Sequence, residues 1–132
     1  MKKRFLHLLG FKTQEEYLKS IFVMSNLILE HGGKMVDAAT EDEALNITNC
    51  GVYMSPDNVT ELNMTSSDPH GNCAKVNTGD IYTGYARKGD KWVSHSWLVD
   101  GDCIIETTTK KDGYFGFKLN EKEKENFIEN QI

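Results

Sequence analysis

The chain has 132 residues, 39% of them hydrophobic and 27% charged, which describes one soluble globular domain rather than a disordered tail or a coiled coil. A formal net charge of −5 with no basic stripe argues against nucleic acid as a partner. No apolar run approaches the ~18 residues of a membrane span, and the stretch after Lys2-Lys3-Arg4 is broken by His7, Gly10 and Lys12, unlike a secretory signal.

Taken in order, Thr13 followed by Glu16 is a capping box, and Tyr17, Leu18, Ile21, Phe22, Ser25 and Ile28 recur at helical spacing until Gly32-Gly33. A second, short helix is expected from Ala38 to Leu45, with Thr40 as cap and Glu41, Asp42 and Glu43 in its first turn. Residues 46–72 are rich in Asn, Thr, Ser and Asp and read as loop, with one strand near Val52-Tyr53-Met54. Beyond Gly79 four antiparallel strands are expected: Ile81–Arg87, Lys91–Val99, Cys103–Thr108 and Tyr114–Leu119. They are separated by Lys88-Gly89-Asp90, Asp100-Gly101 and Lys111-Asp112-Gly113. Asn120 and Glu123 then cap a last helix whose apolar contacts are Phe127 and Ile128. Residues 1–132 thus read as one domain: a helical N-terminal region (1–48), a loop-rich segment (49–72), a core (73–119) and a C-terminal helix (120–131).

The chemistry concentrates in that core. Asp100-Gly101 as a two-residue hairpin loop pairs Val99 with Asp102, Trp97 with Ile104 and His95 with Glu106, close enough for the carboxylate to accept from the imidazole. In the preceding hairpin the same count, from Gly89-Asp90, places Gly84 opposite His95 and Ala86 opposite Val93, leaving room above the histidine for a substrate or another backbone. Alternation sets Trp97 beside His95, as a cleft wall or as core. The best-placed nucleophile is Cys73: Asp68-Pro69-His70-Gly71-Asn72 forces a turn, and a helix opening at Cys73-Ala74-Lys75-Val76 would favour a thiolate at its N-terminus. Asn72 or a backbone N–H there would serve as oxyanion donor. The competing readings are a core histidine satisfied by a glutamate and a buried, inert cysteine.

Cys50, in the Asn/Thr-rich segment, and Cys103, facing away from His95, are poorer nucleophiles. Three cysteines without CxxC spacing fit a reducing, cytoplasmic compartment better than a disulfide framework. Zinc is a further alternative, because His70-x-x-Cys73 has ligand spacing and His95 and Cys103 are of ligand type, but no second tight pair completes a signature. No metal or other cofactor is expected. His7 and His31 read as surface residues, and Lys110-Lys111 as solvated surface.

The ordered string Gly71-Asn72-Cys73, Gly84-Tyr85-Ala86, His95-Ser96-Trp97, Glu106-Thr107-Thr108 and Tyr114-Phe115-Gly116 resembles a group of small bacterial and phage proteins and, more distantly, the papain-like and transglutaminase-like cysteine hydrolases. The match covers about residues 71–119. The resemblance implies an α+β fold, with an N-terminal helix and a short nucleophile-bearing helix packed on an antiparallel meander of four to five strands. It implies Cys73 as nucleophile, His95 as general base and acid, and Glu106 as the orienting acid, with glutamate in place of the usual Asp or Asn. The substrate would be a peptide, protein or small amide, and neither nucleic acid nor membrane is expected as partner.

Overall fold

Glycine at the first position of each two-residue loop sets the register of the central strands. In the computed structural model, which describes residues 14–64 and 68–131, β4 (Asp80–Lys88) and β5 (Lys91–Asp100) meet through Gly89-Asp90. Gly84 then pairs with His95 and Ala86 with Val93, as the sequence count requires. β5 and β6 (Cys103–Glu106) meet through Gly101-Asp102 rather than Asp100-Gly101, so that Asp100 pairs with Cys103 and Leu98 with Ile105. Gly89 and Gly101 have φ of 63° and 65°, while neither aspartate after them has positive φ. That is the glycine-first pattern of a type II′ turn, whereas the expected Asp-Gly loop needs positive φ at both residues.

The remaining elements are α1 (Gln14–Leu29), β1 (Lys34–Met35), α2 (Glu41–Cys50), β2 (Val52–Met54), β3 (Val59–Glu61), α3 (Pro69–Val76), β7 (Gly113–Lys118) and α4 (Glu121–Gln131). α1 ends where Gly32 and Gly33 take φ of 89° and 74°; its expected cap, Thr13, lies outside the described residues, as does His7. Thr40 caps α2 as expected, and Glu43 goes beyond that expectation by completing a capping box, with Thr40 Oγ1 accepting from Glu43 N and Glu43 Oε1 from Thr40 N. It runs on to Cys50 because Ile47 buries one turn beyond Ala44, an apolar spacing that outweighs the poor helix propensity of its Asn and Thr neighbours. Asn120 and Glu123 exchange the same reciprocal bonds at the head of α4. Among the described residues no helix is long and apolar enough to cross a membrane.

The fold is mixed α+β, but its sheet is neither a simple meander nor limited to four or five strands. Among the described residues seven strands join, in the order β2-β7-β4-β5-β6-β3, with β1 on β5. β1 and β3 add parallel pairs, to the start of β5 and along β6, and β7 crosses back to the far edge of β4. Segment 49–72 holds the expected strand at Val52–Met54 and, beyond the expected loop, adds β3 and the first half of α3, and Leu62 N and Met64 N extend the β3 pairing to Glu106 O and Thr107 O.

The helices cover one face, where Met24, Ile28, Ala44, Ile47 and Cys73 meet Ile81, Tyr85, Trp92, Leu98, Phe115 and Phe117. The other face holds a smaller core of Ala86, Trp97, Ile104 and Tyr114. Met54 and Val59, from opposite ends of the strand order, both pack on it, so the sheet curls around this second core. His31 is not a bare surface residue: it stacks on Tyr53, with ring centroids 4.0 Å apart and planes 6° from parallel.

Candidate functional site

His95 and Glu106 lie on the face of the curled core. Continuing the β5–β6 register puts Glu106 opposite Trp97, diagonal to His95, two residues away from the sequence count. Because side chains alternate with a period of two, a slip of two keeps Glu106 on the histidine's face, and a glutamate is long enough for the diagonal. His95 Nε2 lies 2.8 and 3.0 Å from the two carboxylate oxygens. Thr108 donates to Oε2 from its backbone N at 2.9 Å and from Oγ1 at 2.7 Å, and Tyr114 OH donates to Oε1 at 2.7 Å. Both members of the pair are buried, His95 being 2% exposed and Glu106 not at all.

Burial alone would raise the Glu106 carboxyl, but the hydrogen bond and charge of His95, with the two Thr108 donors, outweigh it and hold the group below the usual carboxylate range. An ionised carboxylate only accepts, so Nε2 carries the proton, and in the neutral ring Nδ1 holds the lone pair. Nδ1 has no hydrogen-bond partner among the described residues. Trp97 and Tyr114 flank the imidazole with centroids 6.3 Å away. Trp97 is fully buried core rather than a cleft wall. The room expected above His95 at Gly84 is filled by backbone: a Cβ on Gly84 would strike Phe115 O and approach Gly116 Cα to 2.6 Å.

Cys73 comes from α3, on the helix side of the sheet. Asp68 caps α3, accepting from Gly71 N at 3.1 Å, and Pro69 opens the helix, so Cys73 is its fifth residue rather than its first. From the same helix His70 bonds Ser96 Oγ through Nδ1 at 2.6 Å, and its Nε2 lies 3.4 Å from Ser94 Oγ. Ser94 and Ser96 alternate with His95 along β5, which places α3 on the face opposite the imidazole ring.

The thiol is buried in the helix-side core and makes no hydrogen bond to His95 or Glu106 among the described residues. Burial pushes it up to about 12, and the charge of Glu106 adds to this. Thr107 lies beside the sulfur and offsets a little, although its hydroxyl makes no hydrogen bond of regular geometry. The thiol is therefore neutral in this arrangement, not the helix-terminal thiolate expected. Asn72, buried beside it, has an interaction of its own, and its N–H is taken by Asp68 O at 2.9 Å.

The other ligand-type residues do not converge. Cys50 is exposed, Cys103 approaches Thr60 Oγ1 at 3.4 Å, and no three His, Cys, Asp or Glu among the described residues are placed to hold a metal ion. Two residues of the network, Thr108 and Tyr114, had no assigned role in the sequence. Pairing of Gly116 and His95 with the same Gly84 sets Tyr114 one alternation along on the same face, a signal available only once β7 is known to pair with β4. No protein-family model matches the chain, and no curated protein or solved structure proves similar to it.

Proposed function

We propose that the chain is a cysteine-dependent hydrolase or acyltransferase acting on an amide- or peptide-type bond, on the papain-like or transglutaminase-like scaffold its motifs resemble. The supporting observation is the His95–Glu106 pair: Nε2–H is held by a carboxylate fixed by three further donor groups, and Nδ1 is left without a partner among the described residues. In this reading the Cys73 sulfur attacks the carbonyl carbon while its proton passes to His95. The imidazolium, steadied by Glu106, then protonates the leaving amine, and water or a second amine resolves the thioester. The resting thiol is neutral and packs with the helix-side core, so this reading requires that substrate binding bring sulfur and Nδ1 together.

That separation favours a second reading, a binding or inhibitor module in which the pair and the thiol both serve the core. An activated acyl ester such as p-nitrophenyl acetate distinguishes them, with a Cys50→Ser, Cys103→Ser background leaving one thiol. Catalysis by the proposed route gives one acetyl group on Cys73 by mass spectrometry, absent in Cys73→Ala and slowed about a hundredfold or more in His95→Gln. Acylation no faster than in Cys73→Ala, or indifferent to His95→Gln, leaves the binding module.

A further inference from the structure

Pairing of Arg87 with Gly113 across β4 and β7 brings together two basic dipeptides that are distant in the chain. Arg87 and Lys88 end β4, while Lys110 and Lys111 lie in the connection before β7. With Pro56 and Asp112 they line an open cleft of about 620 Å³. Among the described residues none of the four cations has a carboxylate within ion-pair distance, the ion pair found being His95–Glu106.

Their bonds run instead to neutral oxygens. Arg87 Nη1 donates to Gly89 O at 2.6 Å, Lys88 Nζ to Lys110 O at 3.3 Å, and Lys111 Nζ to Thr109 O at 2.9 Å. These contacts hold Arg87, Lys88 and Lys111 without neutralising them. The one carboxylate in the lining, Asp112, is committed to Gly89 N at 2.7 Å. Lys111 is partly desolvated and is held below the usual lysine range by that burial and by the like charge of Lys88, against the opposing charges of Glu106, Glu61 and Asp112. The cleft thus gathers four cations against one lining carboxylate, a local excess of positive charge on a molecule of net charge −5.

We propose that this cleft binds a compact, multiply charged phosphate-type anion, free or as a group on a larger small molecule. A long polyanion would carry its flanks over the acidic remainder of the surface and be repelled there, whereas a compact anion feels mainly the local field. Four cations around one concavity suit several closely spaced anionic oxygens, each accepting a charge-assisted bond. The site is independent of the role of Cys73.

The test is a titration of the full chain with inorganic pyrophosphate at physiological ionic strength, read by calorimetry and by amide chemical shifts. Saturable binding is expected, with shifts confined to residues 56–57, 87–89 and 108–113. Affinity falls about tenfold or more in the exposed-site variants Lys88→Glu and Lys110→Glu, and changes less than about twofold in Lys122→Glu, on exposed α4 surface. The proposal is overturned by an absence of saturable binding, by equal affinity in Lys88→Glu and Lys110→Glu, by a simple dicarboxylate binding as tightly, or by a single-stranded oligonucleotide binding more tightly than pyrophosphate.

Discussion

A carboxylate inside an apolar, aromatic core is costly unless its lone pairs are filled, and Glu106 fills them with His95, Thr108 twice and Tyr114. Glu106→Gln keeps the shape but removes the charge and replaces one acceptor oxygen by an amide donor, which faces Thr108 N–H or forces the Tyr114 hydroxyl and His95 to reverse their roles, so the loss approaches that of breaking a buried pair, about 3 kcal/mol. Tyr114→Phe removes one donor to a charged acceptor and costs about 1.5–3 kcal/mol. Urea unfolding at neutral pH measures both, and a Tyr114→Phe loss larger than that of Glu106→Gln contradicts the ranking. The pH dependence has a definite sign. With its folded pKa depressed, Glu106 contributes stability that is fully present above the unfolded value of about 4.3 and lost as pH falls through the folded one. Glu106→Gln therefore flattens the acid limb of stability between roughly pH 5 and the folded pKa, and a limb of unchanged steepness would mean that other carboxylates produce it.

Among the elements, glycines have two separable duties. Gly101 supplies a positive φ with open space around it, whereas a Cβ on Gly116 would press into Thr83 O and come within 2.7 Å of the Trp97 ring. Gly101→Ala is expected to cost about 1 kcal/mol for left-handed backbone, and Gly116→Ala about 3 kcal/mol, because β4, β7 and Trp97 must part. Equal losses in thermal melts would remove the close-packing argument. The same elements show what a sequence makes legible. Capping boxes at Thr40 and Asn120 and the hairpin at Gly89-Asp90 are local chemistry, readable within a few residues. The second hairpin turns at Gly101-Asp102, one position beyond the expected loop, because Asp-Gly and Gly-Asp overlap there. The His95–Glu106 contact is insensitive to that displacement, since residue parity, not exact register, decides the face. β1 and β3 carry no such signal: their partners lie 57 and 45 residues away, and segments this short acquire strand character only from those partners. The face on which α3 packs, and so the separation of Cys73 from His95, is likewise set by long-range bonds between His70 and Ser94 and Ser96.

At the scale of the whole molecule, a thiol and two phenols among the described residues are shut into the two cores. Cys73 and Tyr85 lie on the helix side and Tyr114 on the curled side. Burial raises all three, reinforced by carboxylates: Glu106 for Cys73 and Tyr114, Glu43 and Asp37 for Tyr85. A group with a raised folded pKa contributes stability that is fully present below its unfolded pKa and lost as pH rises toward the folded value. Stability should therefore hold up to about pH 8.5, fall first on account of Cys73, and fall again from about pH 10 as unfolded tyrosines ionise. Between about pH 8.5 and 10 the Cys73 slope approaches ~1.4 kcal/mol per pH unit. Urea midpoints of wild type and Cys73→Ala, each with Cys50→Ser and Cys103→Ser, isolate it. The first decline should vanish in Cys73→Ala while the tyrosine decline remains. Superimposable curves would show that Cys73 titrates alike folded and unfolded. Wild-type stability rising with pH toward about 8.5, and not in Cys73→Ala, would reverse the sign: the resting thiol would then be a thiolate, which requires a cation such as protonated His95 beside it and a different packing of α3 on the sheet.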